Sequence, residues 1–203
     1  MTNNGEDLFV LSRATGYIYN VKLDSWKVFS NPKFPVDASV KGFPMIATDS
    51  ATGFMYIPEA GAEFTGEEVV LAVDLRTGMV NSSKIPRMDF DSFHIAAWSA
   101  HLKSVLVFPK VNISPYTFTP SEIYKPMKGW GDLDTQDSKE IVLWDCVVPA
   151  YGGSKMVLLG KDYYTKNGVI YVLDVVKRTW KGAPATGFLG IGACAVTGDQ
   201  FIV

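Results

Sequence analysis

Tyr19-Asn20-Val21-Lys22-Leu23-Asp24-Ser25-Trp26 and Leu173-Asp174-Val175-Val176-Lys177-Arg178-Thr179-Trp180 share one construction. An apolar run ends, a polar turn follows, and a large apolar residue opens the next run. Val73-Asp74-Leu75-Arg76-Thr77-Gly78-Met79-Val80 is a third copy. Ile123-Tyr124-Lys125-Pro126-Met127-Lys128-Gly129-Trp130 is a looser fourth. The closing positions 26, 80, 130 and 180 are separated by 54, 50 and 50 residues. A period of about 50 residues is what a four-stranded propeller blade occupies.

A second kind of hairpin precedes each of the last three turns and returns at the C-terminus. Met45 to Ile57 turns through Asp49-Ser50-Ala51-Thr52-Gly53, and Ile95 to Phe108 through Ala100-His101-Leu102-Lys103-Ser104. Val147 to Leu159 turns through Tyr151-Gly152-Gly153-Ser154-Lys155, and Ala193 to Val203 through Thr197-Gly198-Asp199-Gln200. Polar links between β-branched or aromatic runs are hairpin chemistry. Each unit therefore reads as two consecutive hairpins, one antiparallel four-stranded sheet. No stretch keeps a helical apolar period over three turns with a cap and a stop.

The expected fold is all-β: a β-propeller arc of four-stranded antiparallel blades. The blade units fall at about 1–31, 42–86, 93–135, 140–184 and 189–203, with partial blades at both ends. The N-terminal hairpin has a second possible alignment, because Ala14-Thr15-Gly16 resembles Ala51-Thr52-Gly53. A sheet of this kind has two apolar faces and buries both by stacking against neighbours. Trp26, Trp130 and Trp180 recur at the repeat period and are expected between blades rather than around a ligand.

Composition narrows the partners. Of the 203 residues, 47% are apolar and 20% charged, with 19 basic against 21 acidic side chains. The longest basic run is Lys177-Arg178, which argues against a nucleic-acid groove or an anionic membrane surface. No apolar run approaches the length of a membrane span, and the polar start Met1 to Asp7 is unlike a secretory signal. Asn81-Ser82-Ser83 and Asn112-Ile113-Ser114 are glycosylation sequons, the second followed by Pro115. Cys146 and Cys194 are too few for a disulfide framework or a zinc site. They are expected on inner strands of successive blades and unbonded, because packed sheets lie about 10 Å apart and a disulfide needs Cα atoms within about 7 Å.

These repeats resemble the kelch family. In a kelch repeat an apolar strand ends in a Gly pair, and a later aromatic is followed by a six-residue spacer and Trp. Tyr19 and Trp26 have that spacer; Leu173 and Trp180 have it with Leu in the aromatic's place. Leu158-Leu159-Gly160 matches the end of the second strand, with Lys161 for the second Gly. Cys194 to Val203 resembles the opening of a repeat in fungal galactose-oxidase-like kelch proteins. The middle repeats depart, with Ile57-Pro58 and Phe108-Pro109 where Gly belongs. The resemblance implies a propeller fragment, secreted or membrane-anchored in its full-length form. It also raises a copper-radical oxidase as an alternative function.

That oxidase would need a Tyr-His pair and a tetragonal nitrogen and oxygen donor set. The chain has only His94 and His101, and neither follows a Tyr. Asp91-Ser92-Phe93-His94 contains triad residue types in sequence adjacency, which is not triad geometry. Asp132, Asp134 and Asp137 lack the Gly and the closing Glu of a calcium loop. No catalytic residue, cofactor or metal site is therefore expected.

The remaining reading is a binding or scaffold module for an unknown protein or glycan. Its surface would be the loops between the two hairpins of each blade: Pro58 to Glu67, Pro109 to Ser121 and Gly160 to Asn167. They hold equivalent places in successive repeats and carry Phe64, then Tyr116 and Phe118, then Tyr163 and Tyr164. Aromatics on a rigid scaffold give large contact area at low entropic cost. The alternative is that these rings fold back onto their own blades.

Overall fold

In the computed structural model, the described residues are 2–3, 7–12, 15–30, 47–60, 69–77, 79–83, 94–109, 122–133, 142–185, 194–197 and 200–202. They form antiparallel strands and one short 3-10 turn at Tyr151–Gly153. The chain divides into two compact units, Met1–Asp89 and Phe90–Val203.

The first unit holds two four-stranded sheets. Sheet one is β1 (Thr2–Asn3), β2 (Asp7–Ser12), β3 (Thr15–Asn20) and β4 (Ser25–Ser30). Sheet two is β5 (Ala47–Asp49), β6 (Phe54–Ala60), β7 (Val69–Asp74) and β8 (Val80–Ser83). The second unit holds sheet three: β9 (His94–Ser99), β10 (Ser104–Pro109), β11 (Glu122–Lys125) and β12 (Gly129–Asp132). Sheet four is β13 (Val142–Ala150), β14 (Lys155–Asp162), β15 (Gly168–Asp174) and β16 (Thr179–Ala185). A two-stranded sheet, β17 (Ala195–Thr197) and β18 (Gln200–Ile202), follows. Within every sheet the strands lie in chain order, so each is a simple meander of hairpins. This is the all-β, blade-like architecture expected from the period.

The repeat is visible in the register. Tyr19 pairs with Trp26, Val73 with Val80, Tyr124 with Trp130 and Leu173 with Trp180, always between the third and fourth strands. The link between those strands has a common cause. Asn20, Asp74 and Asp174 end the third strand, and each side chain accepts backbone N–H bonds from the turn: Leu23 for Asn20, Arg76 and Thr77 for Asp74, Val176 and Lys177 for Asp174. A short carboxylate or amide at that place substitutes for the next rung of the ladder and closes the turn. The same bonds hold the Asp74 and Asp174 carboxyls below the ordinary carboxylate range. Asp24 and Arg178, one place before the fourth strand, adopt φ of 45° and 56°. In sheet three Lys125 replaces the Asx residue, and the link shortens to Pro126–Lys128. Tyr124, not Ile123, is therefore the partner of Trp130, one residue away from the alignment read in the sequence.

Packing in the second unit shows how consecutive sheets join. Ala97, Leu106, Phe108 and Ile123 of sheet three share a core with Trp144, Met156, Leu158, Tyr171 and Leu173 of sheet four. Phe108, Leu106, Met156, Leu158 and Leu173 are fully buried. Each such side chain contributes about 1.5–3 kcal/mol relative to exposure. Trp180 stacks on Trp144 at 6.2 Å and meets Phe108 edge-on, also at 6.2 Å. It thus packs between blades, as expected. The turns also lock. The buried Ser99 hydroxyl donates to the Gly153 carbonyl at 2.5 Å and accepts from the Leu102 N–H. A Cβ on Gly153, whose φ is +76°, would lie 2.5 Å from the Ala100 nitrogen, so no side chain fits there.

Three expectations need correction. Cys146 and Cys194 are bonded, with Cα atoms 6.2 Å apart. The face-to-face spacing of sheets was the wrong measure, because the first strands β9, β13 and β17 lie alongside one another. A register shift between Trp144 and Cys146, a bulge at Asp145, lies next to the bonded cysteine. Trp26 is not packed between blades: it is 61% exposed and rests on Tyr19 and Tyr17 of its own sheet, at 4.9 and 6.5 Å. The N-terminal blade, expected to be partial, has four strands, the first of them only two residues long. Its hairpin Asp7–Asn20 is formed by the second and third strands, which rules out the alternative alignment.

Candidate functional site

The loops expected to bind join the second and third strands of sheets two, three and four. Phe64, Tyr116 and Phe118 lie outside the described residues. Tyr163 and Tyr164 lie within the described residues, in the turn between β14 and β15.

Their turn is built by Asp162, the last residue of β14. Its Oδ1 accepts from the Thr165 N–H at 2.6 Å, the Thr165 hydroxyl at 2.8 Å and the Tyr164 N–H at 3.1 Å. Main-chain bonds from Lys166 N–H to the Asp162 carbonyl and from Asp162 N–H to the Asn167 carbonyl close the loop. The Thr165 hydroxyl also accepts from the Asn167 N–H at 3.3 Å. The Thr165 N–H, the Thr165 hydroxyl and the Tyr164 N–H hold the Asp162 carboxyl below its ordinary range, and Lys166 adds a smaller attraction.

On this frame the Tyr163 and Tyr164 rings sit 5.4 Å apart at 85°. Tyr164 is 70% exposed, so it does not fold back onto its blade. Tyr163 is half-buried, and the Lys166 ammonium lies 4.4 Å over its ring. The turn therefore offers one exposed aromatic ring, one half-buried ring and one cation within a few residues. Lys166 and Asp162 were absent from the expected site. The Asp-x-x-Thr spacing that makes this turn is readable in sequence; the placement of Lys166 over the ring, with its own φ of 59°, is not.

His94 lies on β9 and His101 in the exposed turn after it. Among the described residues no three His, Cys, Asp or Glu side chains group as metal ligands. Also among the described residues, no helix is long and apolar enough to cross a membrane.

No family model matches the chain, and no curated protein matches it. Ninety-six solved chains match it in structure. One, described as Kuenenia stuttgartiensis hydrazine synthase, superposes with a TM-score of 0.57 over 90% of this chain and 47% of that one, at 14% identity. This chain thus spans about half the length of that neighbour. A likeness so distant in sequence shows the shared fold alone.

Proposed function

We propose that the protein is a kelch-type propeller module that binds a protein or glycan partner through the loops joining the second and third strands of its blades. The observation that carries this reading is the Tyr163-Tyr164-Lys166 turn. An exposed ring costs little to order when two backbone N–H bonds and the Thr165 hydroxyl bond to Asp162 already fix the turn beneath it. Tyrosine faces stack on sugar rings and on peptide side chains alike, and the ammonium adds a point of attraction for an acidic group. The kelch assignment is supported by the period of about 50 residues, by Trp180 between two blades, and by Gly160. That glycine ends the kelch-like Leu158-Leu159-Gly160 run and faces the β13 bulge, where a Cβ would collide with the Leu143 carbonyl. The Cys146–Cys194 bond fits maturation in an oxidising compartment.

The test uses immobilised oligosaccharide and peptide panels. Binding by the wild type that falls at least tenfold in Tyr163→Ala/Tyr164→Ala, with an unchanged melting temperature, supports the reading. Binding unaffected by the double substitution removes this turn from the site.

A further inference from the structure

Two features of the chain converge on a covalent modification. The first is Asn81-Ser82-Ser83, an acceptor tripeptide for N-linked glycans. Such tripeptides arise often by chance, and a buried one would be silent. Here Asn81 lies on β8, the edge strand of sheet two, paired on one side with Ala72 of β7, and its side chain is exposed. The folded blade can therefore carry a branched sugar at this position without repacking. The second feature is the Cys146–Cys194 bond, which lies in the other unit and is independent of the tripeptide. It joins the only two cysteines in the chain. Bonds of this kind persist in the oxidising secretory route and are rare in the cytosol. That route is also where N-linked transfer takes place in eukaryotic cells.

We infer that Asn81 is an N-glycosylation site. The donor is an oligosaccharide linked through pyrophosphate to a lipid. The Asn81 amide nitrogen attacks C1 of the first sugar, the C1–N bond forms and the C1–O bond to pyrophosphate breaks. The lipid pyrophosphate leaves and the amide gives up one proton. The glycan's place also has a physical use. An edge strand presents unpaired backbone groups that template pairing with other chains, and a bulky hydrophilic group on it blocks that approach. Asn112-Ile113-Ser114 has only the sequence pattern behind it, since it lies outside the described residues.

The experiment expresses the full chain behind a cleavable secretory leader in a eukaryotic cell, in an Asn112→Gln background. Peptide mapping then reads both the disulfide and position 81. The expected result is the Cys146–Cys194 bond together with a glycan at Asn81, released by N-glycosidase with a one-dalton gain on the peptide, about the mass change from amide to acid. Ser83→Ala and Asn81→Gln should each abolish the glycan, and Ser83→Thr should retain it. Unmodified Asn81 in protein that carries the disulfide overturns the inference. So does secreted protein with free thiols and no glycan, because the oxidising premise then fails as well.

Discussion

Removing the disulfide should destabilise the second unit by an amount set by chain length. The bond spans a sequence separation of 48 residues, enclosing β14, β15, β16 and most of β13. In the chain-entropy account, cross-linking a loop of that length removes about 4 kcal/mol worth of freedom from the unfolded chain. This is a large share of the roughly 5–15 kcal/mol that holds a domain together. The comparison is between wild type and Cys146→Ala/Cys194→Ala, each unfolded in urea. Trp144 and Trp180 stack at 6.2 Å on either side of the loop closure, so their fluorescence follows the enclosed sheet itself. The expected outcome is a loss of about 4 kcal/mol in that signal, with the slope against urea increased as the unfolded chain expands. A loss below about 0.5 kcal/mol, the usual size of a neutral surface change, would refute the reasoning. It would mean that the bond restrains only the terminal hairpin β17–β18, which opens without disturbing sheet four.

Gly153→Ala should cost about 2–5 kcal/mol, combining about 1–2 for the left-handed backbone with about 1–3 for overpacking against Ser99 and Ala100; Gly152→Ala, with φ of +63° and open space around it, should cost only the first part. Equal losses in thermal melts of the two variants would show that the turn contact is not tight. The carboxyl of Asp162 is depressed, so the bonds it accepts are fully present above the unfolded value of about 3.9. They are lost as pH falls through the lower folded value. Protection of the Thr165 amide, measured against its intrinsic exchange rate, should therefore fall only in acid below about pH 4, and Asp162→Ala should remove that step. Protection at Thr165 that Asp162→Ala leaves unchanged at neutral pH would exclude Asp162 as its anchor.

The parts of the fold that were legible in sequence share one property: they recur. Trp26, Trp130 and Trp180 marked the fourth strand because a meander repeats its register at every blade. Asn20, Asp74 and Asp174 stand at the head of three of the polar turns read in the sequence, and there a short side-chain acceptor closes the turn. Where the motif changed, the reading slipped. Lys125 cannot play the Asx part, so the turn is one residue shorter and Tyr124, not Ile123, faces Trp130. The site was legible to a similar depth. Tyr163 and Tyr164 could be placed on a loop from the period alone, whereas Lys166 reaches Tyr163 by a local backbone reversal that no repeat announces.

The disulfide and Trp26 fall outside that pattern for opposite reasons. A period states that two sheets are neighbours, but not how their separation varies along the strands. Spacing between sheets is a face-to-face quantity. At β13 and β17 the relevant quantity is how closely two first strands approach, and there the Cα atoms of Cys146 and Cys194 come within 6.2 Å. Trp26 shows the converse limit. Its position in the repeat, paired with an aromatic on β3, matches that of Trp180, paired with Leu173 on β15. Yet Trp180 meets Phe108 from the preceding sheet, while among the described residues the rings beside Trp26 are its own sheet's Tyr17 and Tyr19. Tyr17, Tyr19, Trp26 and Val28 lie on one face of sheet one by their cross-strand pairing, and Trp26 and Val28 remain mostly exposed. Burial belongs to the contact between repeats, not to the repeat itself. The same tryptophan is therefore half-buried against the core in one blade and exposed in another.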